Sequence, residues 1–218
     1  MTGPWVTLKL ATSLDGRIAT AAGESRWITG QGAREQVHRL RAEHDAVLVG
    51  SNTALRDDPQ LTVRLPGYDG PQPTRVVLDT HQRLPPSSKL AQSAREVPVI
   101  LVTAVVKPSE ALEAAGVRIV HAPAKEVGVD VPQLLELLEE QGITRIFVEG
   151  GGRVAASFVR AGAVDRVEWF RAPIILGGEG KAAIGDLHVE GLPQAFRLRR
   201  VAVETVGDDL WERYERPL

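Results

Sequence analysis

The chain has 218 residues, 43% hydrophobic and 25% charged, with a formal net charge of -2 and no cysteine. This composition supports an ordinary globular core and excludes disulfides, thiolate metal sites and cysteine nucleophiles. No global basic field is present to recruit nucleic acid, and no segment reaches the roughly 18 consecutive apolar residues that span a membrane. The N-terminal MTGPWVTLKL lacks a charged stretch followed by a long apolar run, so no signal peptide is expected and a cytoplasmic location fits. No linker-like stretch divides the chain, and one domain over residues 1–218 is expected.

In chain order, Val6, Leu8 and Leu10 alternate with Thr7, Lys9 and Ala11, which predicts a strand over Val6–Thr12 with two unlike faces. An ammonium inside such a strand costs free energy unless it is paired. Two readings of Lys9 stay open: an edge-strand lysine that extends to water, and a lysine aimed into a ligand cleft. A loop with Gly16, Gly23 and Trp27 follows. Ala33, Val37 and Leu40 share one face of a helix predicted over Gln31–Glu43.

Ala46–Gly50, Arg75–Asp79 and Val97–Thr103 are short apolar runs, the pattern of strands buried on both faces. Helices are predicted over Pro108–Ala115, Pro132–Gln141 and Arg153–Arg160, and strands over Val117–His121, Arg145–Glu149 and Asp165–Arg171. Phe196–Val206 and Leu210–Glu215 read as antiparallel strands at the end of the sheet. Pro66–Pro73 and Arg83–Ser88 read as surface loops. Alternating strands and helices predict an α/β fold, a mixed, mainly parallel sheet with helices on both faces and antiparallel C-terminal strands.

Ligands of open α/β sheets gather beyond the C-terminal strand ends. There the sequence holds Gly50-Ser51-Asn52-Thr53, Asp79-Thr80, Thr103 and Glu149-Gly150-Gly151-Gly152-Arg153. The last follows a strand and opens a helix, an arrangement suited either to a tight turn or to a phosphate. Ile175–Gly180 precedes no convincing helix and reads as a mobile loop. His38, His44, His81, His121 and His188 have no metal-ligand spacing and read as structural or surface residues, so no metal is expected.

The segments Leu8–Ala19 and Gly23–Thr29, with His38–Ala42, Asp57–Arg64 and Val148–Gly152, resemble the reductase domain of the bacterial riboflavin-biosynthesis deaminase/reductase. The resemblance implies a three-layer dihydrofolate-reductase-like fold, NADPH as cofactor, a pyrimidine ribosylamino phosphate as substrate and a homodimer. It also implies that this chain is the reductase alone, without the deaminase domain. It carries cofactor contacts onto Ala11, Trp27, Thr53, Asp57, Thr80 and the segment Gly151, Gly152, Arg153, Val154, Ala155, Ala156 and Ser157. Substrate contacts fall on Ser25, Arg41, Leu61, Arg64 and Glu149, the last at the pyrimidine ring. Two arginines and a hydroxyl suit a sugar phosphate. Lys9 is the candidate to polarise or protonate the reacting centre, with Glu149 as the other catalytic candidate. Arg83 and Lys89, downstream of Thr80, are candidates for a cofactor 2′-phosphate.

Overall fold

A computed structural model describes residues 3–125 and 128–217. The chain begins with β1 (Trp5–Thr12), β2 (Arg17–Ala19), α1 (Gln31–Ala42), β3 (Ala46–Gly50) and α2 (Ser51–Asp57). It continues through β4 (Thr74–Leu78), α3 (Lys89–Gln92), β5 (Val99–Thr103), α4 (Glu110–Ala115) and β6 (Arg118–His121). Then come β7 (Ala124–Lys125), β8 (Gly128–Val129), α5 (Val131–Glu139), β9 (Arg145–Val148) and α6 (Gly152–Arg160). The last elements are β10 (Arg166–Arg171), β11 (Lys181–Ala182), a 3-10 turn (Leu192–Gln194), β12 (Arg199–Val206) and β13 (Asp209–Glu215). Each long element predicted from periodicity is present. Helix α2 departs from the sequence expectation, which places Ser51–Thr53 at a strand end.

Two compact units form. One comprises the N-terminal residues through Pro4 together with His38–Gly150; the other comprises Trp5–Val37 and Gly151–Leu218. In the first unit β9, β3, β4, β5 and β6 pair in that order, all parallel. The continuous β-branched and leucine runs of β3 and β5 are buried at every residue, as expected of parallel strands shielded on both faces.

Arg75 is the exception to this apolar pattern. It opens the apolar run of β4 yet is wholly excluded from solvent. Its guanidinium donates to the carbonyls of Gln60 (3.3 Å), Ser93 (3.0 Å) and Val97, and to Ser93 Oγ (2.7 Å). Burial pulls its pKa down to about 10, so it stays charged at neutral pH.

In the second unit β1 and β10 run parallel, while β10–β13 and β12–β13 are antiparallel. Val206 pairs with Asp209 across a two-residue turn, where Gly207 supplies the positive φ of 64° that such hairpins need. Asp209 then accepts the Gly30 N–H at 2.6 Å, which fixes the segment entering α1. Among the described residues no helix is long and apolar enough to cross a membrane.

Replacing Arg75 by Met keeps the length but leaves three carbonyls and a hydroxyl without their donor. An Arg75→Met variant should lose about 3 kcal/mol of unfolding free energy in denaturant titration. Unchanged stability would show that water or neighbouring groups satisfy those acceptors.

Candidate active site

In the first unit, the last turn of α1 brings Arg41 to the residue that follows β9. Arg41 Nε and Nη2 donate to Glu149 Oε1 (2.6 Å) and Oε2 (3.1 Å), a two-pronged ion pair. The two side chains are only 10% and 7% exposed. Arg41 Nη1 also donates to the Thr62 carbonyl at 2.9 Å. The arginine assigned from resemblance to a substrate phosphate is therefore already committed, with most of its donors, to a carboxylate and a loop.

Beside this pair lies a polar cavity of about 350 Å³, lined by Arg41, Asp57, Asp58, Pro59, Gln60, Leu61, Arg64 and Lys89. Five residues assigned to the site from the sequence line this cavity: Arg41, Asp57, Leu61, Arg64 and Lys89. Arg64 Nη1 makes a single side-chain hydrogen bond, to Gln60 Oε1 at 3.2 Å. Lys89 Nζ stands 3.8 Å from Asp58 Oδ2. Arg83 sits elsewhere, donating to Ser51 Oγ (2.6 Å) with its Nε 3.6 Å from Asp79 Oδ1. The two candidates for a 2′-phosphate are thus separated: Lys89 joins the cavity of Arg64, and Arg83 the strand ends near Thr80. Thr53 lies half-buried on α2, and the Thr80 carbonyl accepts the Ala104 N–H.

Leu61 is buried yet has a φ of 56°, and Trp27 in the second unit has 70°. A left-handed backbone at such residues costs of order 1–3 kcal/mol and concentrates at ligand sites. Trp27 is 75% exposed, so it is no core residue; the Arg34 guanidinium lies 4.5 Å over its ring. Ser25 is exposed in the same loop.

Lys9 lies partly buried in the middle of β1, and Ala11 follows on the same face. Its register partner on β10 is Glu168, a buried carboxylate that accepts the Trp211 indole N–H at 2.6 Å. Residues in register across parallel strands share a face, so Lys9 has a carboxylate neighbour.

Gly151 caps α6, and the helix opens at Gly152. A Cβ at Gly152 would stand 2.5 Å from the Ala182 carbonyl oxygen, so this glycine is required by the β11 segment itself. Arg153 is exposed, Val154 and Ser157 are half-buried, and Ala155 and Ala156 are core residues. Any cofactor contact from this segment falls to the main chain and side chains of its first turn, because the Ala155 and Ala156 methyls face protein.

The mobile loop expected at Ile175–Gly180 is instead tied down. Asp15 Oδ1 accepts the Leu176 N–H (3.1 Å) and the Ser13 hydroxyl (2.6 Å), and Oδ2 accepts the Gly177 N–H (2.8 Å). The Ser13 hydroxyl, then the main-chain donors, pull the Asp15 pKa down to about 2. His38, which the sequence leaves as a structural or surface residue, bonds a residue that lines the cavity. It sits three residues before Arg41, spacing that shares a helix face, and its Nδ1 accepts the Arg64 N–H at 3.1 Å. Among the described residues no cluster of His, Asp and Glu is arranged to hold a metal.

Residues 4–211 match the RibD C-terminal domain. The chain belongs to this family. Among relatives of this RibD-type domain, the riboflavin biosynthesis protein RibD of Aquifex aeolicus is 39% identical over 95% of the chain and 56% of its own length. The chain thus spans little more than half of that relative. A 2,5-diamino-6-ribosylamino-4(3H)-pyrimidinone 5′-phosphate reductase of Methanothermobacter thermautotrophicus is 37% identical over 97% of both chains. Acinetobacter baumannii RibD superposes with a TM-score of 0.87 at 32% identity, covering 98% of this chain and 58% of that one. The mainly parallel α/β fold is that of these reductases.

Asp15→Ala should remove the acceptor pair that holds the 174–180 loop. Faster amide exchange at Leu176 and Gly177, with the rest of the second unit unchanged, is the expected result. In the wild type the carboxylate's hold is complete above pH 3.8, its ordinary pKa, and is lost as pH falls through about 2. Protection that is identical in both proteins at neutral pH would show that other contacts hold the loop.

Proposed function

We propose that the protein is an NADPH-dependent reductase of riboflavin biosynthesis that converts 5-amino-6-(5-phosphoribosylamino)uracil to its ribitylamino product. The observation that carries this reading is the polar cavity in which Arg64 and Lys89 stand beside the Arg41–Glu149 pair. A sugar phosphate is the ligand such a set suits. Arg64 offers planar charge-assisted donors, Lys89 offers a point charge, and the arginine-bound Glu149 keeps acceptor capacity for ring N–H groups.

The residues present also fit a dinucleotide phosphate. The first turn of α6 begins with two small residues, Gly151 and Gly152, and its opening N–H groups have no carbonyl one turn earlier. Arg153 adds an exposed positive charge there. When bound, the nicotinamide supplies the hydride that reduces C1′ of the opened ribose. Lys9 then polarises or protonates the reacting centre, Glu149 orients the pyrimidine, and Trp27, Asp57, Thr53 and Thr80 form cofactor contacts. This reading carries a homodimer and a cytoplasmic location with it.

A second substrate is favoured by the full-length match to the Methanothermobacter enzyme: the diaminopyrimidinone ribosylamino phosphate, reduced before deamination. Steady-state oxidation of NADPH and NADH with each pyrimidine, and with dihydrofolate, decides among these. The uracil should give the highest kcat/KM with NADPH, and dihydrofolate none. Lys9→Met should lower kcat by about 100-fold, the scale of losing one preorganised electrostatic contact, with little change in KM. Preference for the diamino compound would move the enzyme one step earlier. No oxidation with either pyrimidine would overturn the proposal.

A further inference from the structure

The loop that supplies Leu61 and Arg64 has no helix or strand over residues 58–73. Over residues 60–64 its main chain is instead held by the side chains of Arg75, Arg41, Gln72 and His38. Arg75 of β4 takes the Gln60 carbonyl at 3.3 Å, and Arg41 of α1 takes the Thr62 carbonyl at 2.9 Å. Gln72 bonds Val63 twice, accepting its N–H at 2.7 Å and donating to its carbonyl at 3.1 Å. His38 of α1 accepts the Arg64 N–H at 3.1 Å.

Three of these holds are made by guanidinium or amide groups, which keep their protonation state across the neutral range. His38 is different. Accepting at Nδ1 fixes its proton on Nε2, and only the neutral ring accepts. The bond acts on the main-chain nitrogen of Arg64, which is where the side chain lining the cavity is rooted.

We propose that His38 is a positioning residue for the anionic substrate, its neutral ring holding the Arg64 end of the loop and its protonation letting that end go. The charged and polar groups around it come from three elements. Arg41 lies on its own helix, Arg64 and the Thr62 carbonyl on the loop, and Glu149 after β9. Burial, then Arg41 and Arg64, push the imidazole below its usual 6.5, against the opposing pull of Glu149 and the Thr62 carbonyl. The ring is therefore neutral at physiological pH, and the hold weakens only as pH falls below that value.

This inference rests on the reading that the cavity takes the phosphorylated pyrimidine. Its test has one arm that needs no substrate. Native-state amide exchange is measured on the free wild type, His38→Gln and His38→Ala. Gln keeps an acceptor and does not titrate, so Arg64 should stay protected in wild type and His38→Gln and exchange faster in His38→Ala. In the second arm, KM for 5-amino-6-(5-phosphoribosylamino)uracil is followed from about pH 8 to about pH 5. Wild-type KM should rise on acidification by about fivefold, the scale of one hydrogen bond, with kcat following the same profile as His38→Gln. KM of His38→Gln should rise less, by the titration of the substrate phosphate alone, and His38→Ala should have a KM above that of His38→Gln at every pH. Equal exchange at Arg64 in all three proteins would overturn the inference whatever the kinetics. A looser Arg64 with unchanged KM would overturn the link to substrate. Absence of any reductase activity in the wild type would instead count against the proposed function, with the exchange arm still standing.

Discussion

Arg41 and Glu149 meet across 108 positions of sequence, and the geometry of the cavity follows from that meeting. Two largely buried charges are costly to desolvate, and only good geometry with further hydrogen bonds repays the cost. The pair meets both conditions: two parallel donors on one carboxylate, and a third donor on the Thr62 carbonyl. One guanidinium thereby fixes three things at once: the last turn of α1, the residue after β9 and the loop that carries Arg64. Charge neutralisation within the pair leaves Arg64 and Lys89 as the cations of the cavity with the least committed donors.

Much of the fold was legible because it is local. The apolar runs of β3 and β5 have few alternatives to a buried strand, and the Val206–Asp209 turn carries its own glycine. Helix α2 was not legible. Its seven residues are too few to show a helical period, and it begins directly where β3 ends. Arg75 reads as a strand residue in the sequence, and nothing local reveals that Gln60, Ser93 and Val97 converge on it.

The site divides in the same way. The resemblance named Arg41, Asp57, Leu61 and Arg64, and the fold brings them to one cavity. It did not indicate that Arg41 is held by Glu149, or that His38 belongs beside them. Helical spacing of three from Arg41 was the available signal for His38, and it has force only once Arg41 is known to face the loop. Gly152 carries a related lesson. A glycine at the start of a helix suggests a phosphate, yet at this position the Ala182 carbonyl alone demands it.

The Arg41–Glu149 pair acts as a single buried constraint. A double-mutant cycle in denaturant titration tests it most directly, with Arg41→Met, Glu149→Gln and the two combined. Each single variant leaves one buried charge uncompensated, whereas the double variant leaves none. A coupling of about 2 kcal/mol is expected, with the double variant losing less stability than the sum of the singles. Losses that simply add would show that the two side chains are held independently.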